Sequence, residues 1–178
     1  MAESDEEVLA RGFKRIELND PDAMSTIAMA YGHGRLGLPM DQAKCIDLLR
    51  QSADLGCSTA QFQLGIFHYN GNMGLQRNEE EALKYYKKAA EGGYLVSRHN
   101  LGSTAAGHGD FVAAMRHWRL AASGGLKISM ENLIVCFEDG LLFHGDLSKT
   151  LQVFYHSRAE MKSEDRDRYI EHLKETGE

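Results

Sequence analysis

The chain has 178 residues, 43% of them hydrophobic, which is enough to bury a core within one folded domain. Its net charge of −6 argues against a nucleic-acid partner, which needs a concentrated basic stripe, and no run reaches the about 18 apolar residues of a membrane span. Three cysteines without a C-x-x-C pair, and an acidic start where a secretory signal would be basic and then apolar, predict a reduced, cytoplasmic setting. Only two prolines interrupt the chain, as expected of a protein made mostly of helices. Ser4-Asp5-Glu6-Glu7 has the form of a capping box, and Leu9, Phe13 and Ile16 follow at helical spacing. Asn19-Asp20-Pro21 ends that helix and starts the next, with Pro21 in the first turn. Residues 1–20 are therefore a helix outside the pattern that follows, expected to cap one end of a stack.

From residue 21 onward the chain repeats itself. Ala23, Ala60, Ser97 and Ser129 align at intervals of 37, 37 and 32. Eight positions on, the column reads Tyr31, His68, Ala105, Phe137, and eleven on it reads Gly34, Gly71, His108, Gly140. Ala53, Ala90 and Ala122 are each followed three residues later by glycine: Gly56, Gly93, Gly125. Four repeats result, at about 21–57, 58–94, 95–126 and 127–161. A unit of this length cannot bury its apolar face alone and must stack on its neighbours. Each reads as two antiparallel helices, A and B: about 22–32 and 41–55 in the first repeat, 59–70 and 78–91 in the second. Asp41, Asn78, Asp110 and Asp146 share a column and suit N-caps, while Gly56, Gly93 and Gly125 suit C-terminal positions. The third repeat has lost five residues from its A-to-B loop, a place where deletions cost little.

The core columns are Ile27, Leu64, Leu101, Leu133 on the A helices and Leu49, Tyr86, Trp118, Phe154 on the B helices. Gly65 and Gly102 fall mid-helix, where glycine costs about 1 kcal/mol relative to alanine, so two helix backbones are expected to approach closely there. The fourth repeat lacks the Ala-Ala…Gly ending. After it, residues 162–178 are expected to form a closing helix and tail, with Tyr169, Ile170 and Leu173 facing inward.

The pattern A-x-x-x-L-G-x-x-Y/H-x-x-G, then D/N-x-x-K-A-x-x-Y, then A-A-E-x-G resembles the Sel-1-like repeat, a relative of the tetratricopeptide repeat. It stands here as Ala60 to Gly71 (AQFQLGIFHYNG), Asn78 to Tyr85 (NEEEALKY) and Ala89 to Gly93 (AAEGG). The departures are Ala28 and Ile134 for the helix-A glycine, and Cys45 and Thr150 for the helix-B alanine. The segments SDEEVLARGFKRIELNDPDA, SRHNLG and EMKSEDRD look more specifically like Sel-1-like proteins of microalgae, some of which carry a zinc-binding RING-type module before the repeats. This chain shows no such cysteine/histidine cluster. The resemblance implies an all-α fold, an α-solenoid of about four helix–turn–helix repeats with capping helices at both ends. It implies a non-catalytic scaffold or adaptor for other proteins, with substrate recognition for a ubiquitin ligase as the alternative.

In tetratricopeptide-like solenoids the A helices line the concave face, and positions two, three and six after the register residue point into that groove. Position three reads Thr26, Gln63, Asn100, Asn132, so three of four are amides able both to donate and to accept. Such a row can hold the backbone of an extended peptide. Position two adds Phe62, His99 and Glu131, and Phe62, Ile66 and Tyr69 are expected to form an apolar patch beside the amides.

Other motifs are absorbed by the repeat. Gly32-His33-Gly34-Arg35-Leu36-Gly37 matches G-x-G-x-x-G, but it follows a helix, and Gly34 and Gly37 recur as Gly71 and Gly74. The eight histidines fall in different columns without metal-ligand spacing, and no cofactor, metal or catalytic site is expected. Cys45 and Cys136 lie on helix columns as small core residues, whereas Cys57, just past a helix end, is expected to be the exposed thiol. Glu79, Glu80 and Glu81 leading into Lys84, Lys87 and Lys88 read as a solvated helix face.

Overall fold

The computed structural model describes the backbone of residues 4–176 and the side chains of residues 4–160. Among the described residues all regular structure is helical: α1 (Asp5–Glu17), α2 (Pro21–His33), α3 (Gln42–Asp54), α4 (Ser58–Asn70), α5 (Glu79–Glu91), α6 (Leu95–Gly107), α7 (Phe111–Ser123), α8 (Lys127–Glu138) and α9 (His144–Thr176). None of these helices is long and apolar enough to cross a membrane. The chain divides into two compact units, Met1–Ser97 and Arg98–Glu178.

The helix ends follow from local chemistry. Ser4 Oγ accepts the Glu7 N–H at 3.3 Å while the Glu7 carboxylate accepts the Ser4 N–H at 2.9 Å, completing the capping box. That backbone donor, with the Ser4 hydroxyl, holds the Glu7 carboxyl below its usual range. Asp20 caps α2 through bonds to the Asp22 and Ala23 N–H groups at 3.0 and 3.1 Å, and Pro21 occupies the first turn. Asp41, Asn78 and Asp110 cap α3, α5 and α7, each accepting the N–H three residues on, at 2.9, 3.0 and 2.9 Å. The N–H of each of these caps reaches back to the preceding A helix, to the carbonyls of Tyr31, His68 and Ala105. The same bond thus closes the third loop after the loss of five residues. Gly56, Gly93 and Gly125 take φ of +91°, +88° and +89° and stop the B helices as the sequence predicts.

Asp146 is not an N-cap. Helix α9 begins two residues earlier, at His144, because the Phe143 carbonyl already accepts the Asp146 and Leu147 N–H groups, both at 3.1 Å, and so puts Asp146 inside the first turn. The Asp146 carboxylate instead lies 3.7 Å from the Arg119 guanidinium. Helix α9 then continues to Thr176, through the segment expected to close the chain; Tyr169, Ile170 and Leu173 lie outside the described residues.

In the first unit α2 pairs with α3 and α4 with α5, around a core that includes Ala28, Cys45, Leu49, Ala60, Leu64 and Phe67. Helix α1 packs on α2 at Gly12, where an added Cβ would meet Ile27 Cδ1 at 2.8 Å. In the second unit α7, α8 and α9 pack around Trp118, Met130, Leu133, Leu147 and Phe154. Every predicted core column is buried, from Ile27 and Leu64 on the A helices to Tyr86 and Trp118 on the B helices.

The mid-helix glycines answer to aromatic rings more than to a second backbone. A Cβ on Gly65 would meet two ring carbons of Tyr86 at 2.6 Å, with the Ala82 carbonyl further off at 3.4 Å. On Gly102 it would meet the Trp118 indole at 2.7 Å and the Ala114 carbonyl at 3.0 Å. Each large ring on helix B therefore lies over a missing side chain on helix A. In the first repeat the same two columns hold Ala28 and Leu49, a larger residue opposite a smaller one, and both are fully buried.

Candidate protein-binding surfaces

The register positions separate by burial. Position two is closed in the first unit: Ser25 is buried, and Phe62 is only 8% exposed. Phe62 sits with its ring centroid 4.7 Å from Tyr94 and 6.2 Å from Tyr86. Phe62, expected in an apolar patch beside the amides, is thus a core aromatic, because Tyr94, just beyond the end of α5, folds back over it. Position three stays accessible, with Gln63 on α4, Asn100 on α6 and Asn132 on α8 all half-buried and Thr26 exposed. Among the described residues no hydrogen-bond partner engages the three amide side chains, so their donors and acceptors face solvent.

Beside Gln63, Ile66 is half-buried against the first unit's core, and Tyr69 carries the Arg77 guanidinium 5.7 Å from its ring centroid. These residues form the accessible A-helix surface of the first unit. In the second unit His99 is held by two hydroxyls, Ser129 Oγ at 3.0 Å from Nδ1 and Ser103 Oγ at 3.3 Å from Nε2. Burial lowers its pKa and keeps the imidazole neutral. Ser129 is fully buried, so this serine–histidine contact presents no nucleophile to a substrate. Glu131 is exposed and pairs with Lys127 at 3.1 Å.

The remaining sequence signals resolve into structure. Gly34 and Gly37 have φ of +61° and +71°, matched by +68° and +76° at Gly71 and Gly74, and the intervening Leu36 and Met73 are also left-handed. The glycine motif is one loop built twice after an A helix, with no strand before it. Trp118 is a core residue, 6% exposed. Lys84 bridges Glu80 at 3.0 Å and Glu81 at 3.3 Å on the solvated face of α5.

Cys57 is buried rather than exposed: it sits at the N-terminus of α4 with its thiol 3.4 Å from Asp22 Oδ1. Its column partners after the B-helix glycines are Tyr94 and Leu126, and that apolar column was the signal for burial. Burial also raises the Cys45 and Cys136 thiol pKa values, leaving both as protonated core residues.

Helix–turn–helix pairs that share caps, loop closure and core columns define an all-α repeat protein of the α-solenoid class. The Sel1 repeat model matches residues 21–57, 58–94 and 99–126, more than half of the chain, and the chain belongs to the Sel1 repeat family. A sel1-like repeat-containing protein of Acanthamoeba polyphaga mimivirus is 31% identical over 98 residues, 54% of this chain and 17% of that protein. Chitin synthase regulatory factor 2 of Schizosaccharomyces pombe is 29% identical over 80 residues, 45% of this chain and 15% of that protein. The chain therefore spans less than a fifth of either curated relative.

Two solved structures share the fold. A Sel1 repeat protein from Oxalobacter formigenes superposes with a TM-score of 0.71 at 24% identity, covering 86% of this chain and 64% of that one. A protective antigen of uropathogenic Escherichia coli displaying an SLR fold gives a TM-score of 0.51 at 21% identity, covering 98% and 45%. Sel1 repeat proteins generally mediate protein–protein interaction, and the family is typically a non-catalytic scaffold.

Proposed function

We propose that this chain is a non-catalytic adaptor whose A-helix faces hold an extended peptide or a helix of a partner protein. The observation that carries the reading is the recurrence of an accessible amide at one register position, Gln63, Asn100 and Asn132, with no hydrogen-bond partner for any of them among the described residues. A side-chain amide offers both a donor and an acceptor, which matches a peptide group whatever the partner's sequence. Ile66 and Tyr69 in the first unit, and His99 and Glu131 in the second, surround the amides with apolar and polar contacts that select among partners. Phe62 acts from beneath, by fixing α4 against Tyr86 and Tyr94.

Affinity capture from a lysate tests this, comparing the native chain with a Gln63→Ala/Asn100→Ala double variant. The variant is expected to melt at nearly the native temperature, since accessible polar residues away from caps contribute within about 0.5 kcal/mol. Partners captured by the native chain should be lost. Equal capture by both proteins would remove the amides from the binding surface, and failure of the variant to fold would make them structural.

A further inference from the structure

The second unit carries a surface that the amide row does not use. Between α7 and the turn leading into α9 lies a cleft of about 640 Å³, floored by Met115 and the buried Leu142. Its rims are apolar and open to solvent: Val112 is 78% exposed and Leu120 48% on α7, and Phe143 is 83% exposed across from them. A smaller hollow of about 260 Å³ shares Leu120 and Arg119 and runs on toward Lys149 and Val153. Solvent-exposed apolar side chains gathered around a cleft mark an interaction site more often than scattered ones do.

Charge chooses the occupant. Arg116, Arg119 and Lys149 line the two hollows against one carboxylate, Asp146, which lies 3.7 Å from Arg119. Among the described residues neither Arg116 nor Lys149 has an ion-pair partner. This excess of positive charge stands on a chain whose net charge is −6. Val112, Arg116 and Leu120 recur at four along α7, a ridge about two turns long that fits the groove between the side-chain ridges of another helix.

We propose that this cleft docks an acidic amphipathic helix of a partner protein, its apolar side chains between Val112, Leu120 and Phe143 and its carboxylates on Arg116 and Lys149. The mode is helix-in-groove, with the unpaired cations setting the partner's charge. It is independent of the amide row: the Gln63→Ala/Asn100→Ala variant should bind the same helix unchanged.

The probe is a fluorescein-labelled designed helix with leucines on one face and glutamates on the other, titrated with the full chain and followed by anisotropy. A second peptide carries lysines in place of the glutamates. The acidic helix is expected to bind, and the basic one to bind at least about tenfold more weakly. Phe143→Ser and Arg116→Glu should each weaken acidic-helix binding about tenfold with circular dichroism unchanged. Lys84→Glu, at the matching site on α5, should not. Equal binding of both peptides, or indifference to Phe143→Ser and Arg116→Glu, would overturn the proposal. So would self-association in sedimentation that Phe143→Ser abolishes, since the cleft would then be taken by a second copy.

Discussion

Helices α5 and α7 occupy the same place in successive repeats and show how differently the two sides of one helix are constrained. Their inner faces are alike: Ala82, Tyr86, Ala89 and Ala90 on α5, Ala114, Trp118, Ala121 and Ala122 on α7, all buried. Their outer faces share one cation, Lys84 and Arg116, and otherwise differ. Glu80, Lys84 and Lys88 on α5 become Val112, Arg116 and Leu120 on α7. The inner columns must fill a fixed space at crystal-like density, so they tolerate little change. The outer columns meet water in α5, where an i,i+4 ion pair adds only a few tenths of a kcal/mol. Folding did not dictate the apolar character of the α7 outer face, which is why it is read as functional.

The largest expected effect lies on the inner face. Gly65→Leu drives a side chain into the Tyr86 ring and should destabilise the first unit by about 3 kcal/mol or more in denaturant titration. An unchanged midpoint would sink the ring-over-glycine account. A sharper version uses the first repeat as a guide: Gly65→Ala should cost clearly less in a Tyr86→Leu background, because Ala28 and Leu49 already form that pair. A double-mutant cycle showing no coupling would mean that the two columns vary independently.

Next come the caps. Asp110→Ala and Asn78→Ala should each cost about 1 kcal/mol. The loss at α7 should be the larger, because α5 keeps Glu79, Glu80 and Glu81 in its first turn to complement the helix dipole, while α7 has no acidic residue there. Equal losses would show that the first-turn carboxylates contribute nothing.

A smaller effect is pH-dependent. Burial lowers the pKa of His99 in the second unit and of His68 in the first, so the unfolded chain takes up protons that the folded chain resists. Stability should accordingly be intact above the ordinary value of 6.5 and decline as pH falls below it. His99→Gln, which keeps a hydrogen-bonding side chain, should flatten the fall in melting temperature between about pH 7 and about pH 5. A profile that the substitution leaves untouched would mean His99 ionises as easily folded as unfolded.

The smallest effect tests the outer face. Val112→Glu with Leu120→Lys, which makes α7 resemble α5, should change stability by no more than about 0.5 kcal/mol while removing affinity for the acidic helix. A large loss of stability would make that face part of the core.

Much of the fold was legible because it rests on rules that act over a few residues. Caps at Asp41, Asn78 and Asp110, left-handed glycines after the B helices, and one side chain per turn on the core face can all be read along the chain. The candidate site was legible only as a row of amides. Its apolar companion Phe62 is enclosed instead, and nothing local reveals that Tyr94, 32 residues on, lies over it. Cys57 differs: its burial follows the apolar column it shares with Tyr94 and Leu126, not its place at a helix end.

By itself the sequence determined the repeat, the paired helices, most of the places where they start and stop, and that Gly65 and Gly102 mark close approaches, whereas the rings that fill those approaches came from the fold. Periodicity and local hydrogen bonding suffice for these. Only the tertiary structure decided that Asp146 pairs with Arg119 instead of capping a helix, that Phe62 is enclosed by two tyrosines, and that Val112, Leu120 and Phe143 gather around one cleft. Those outcomes depend on residues far apart in the chain, and whether a side chain is covered is set by which of them the fold brings near.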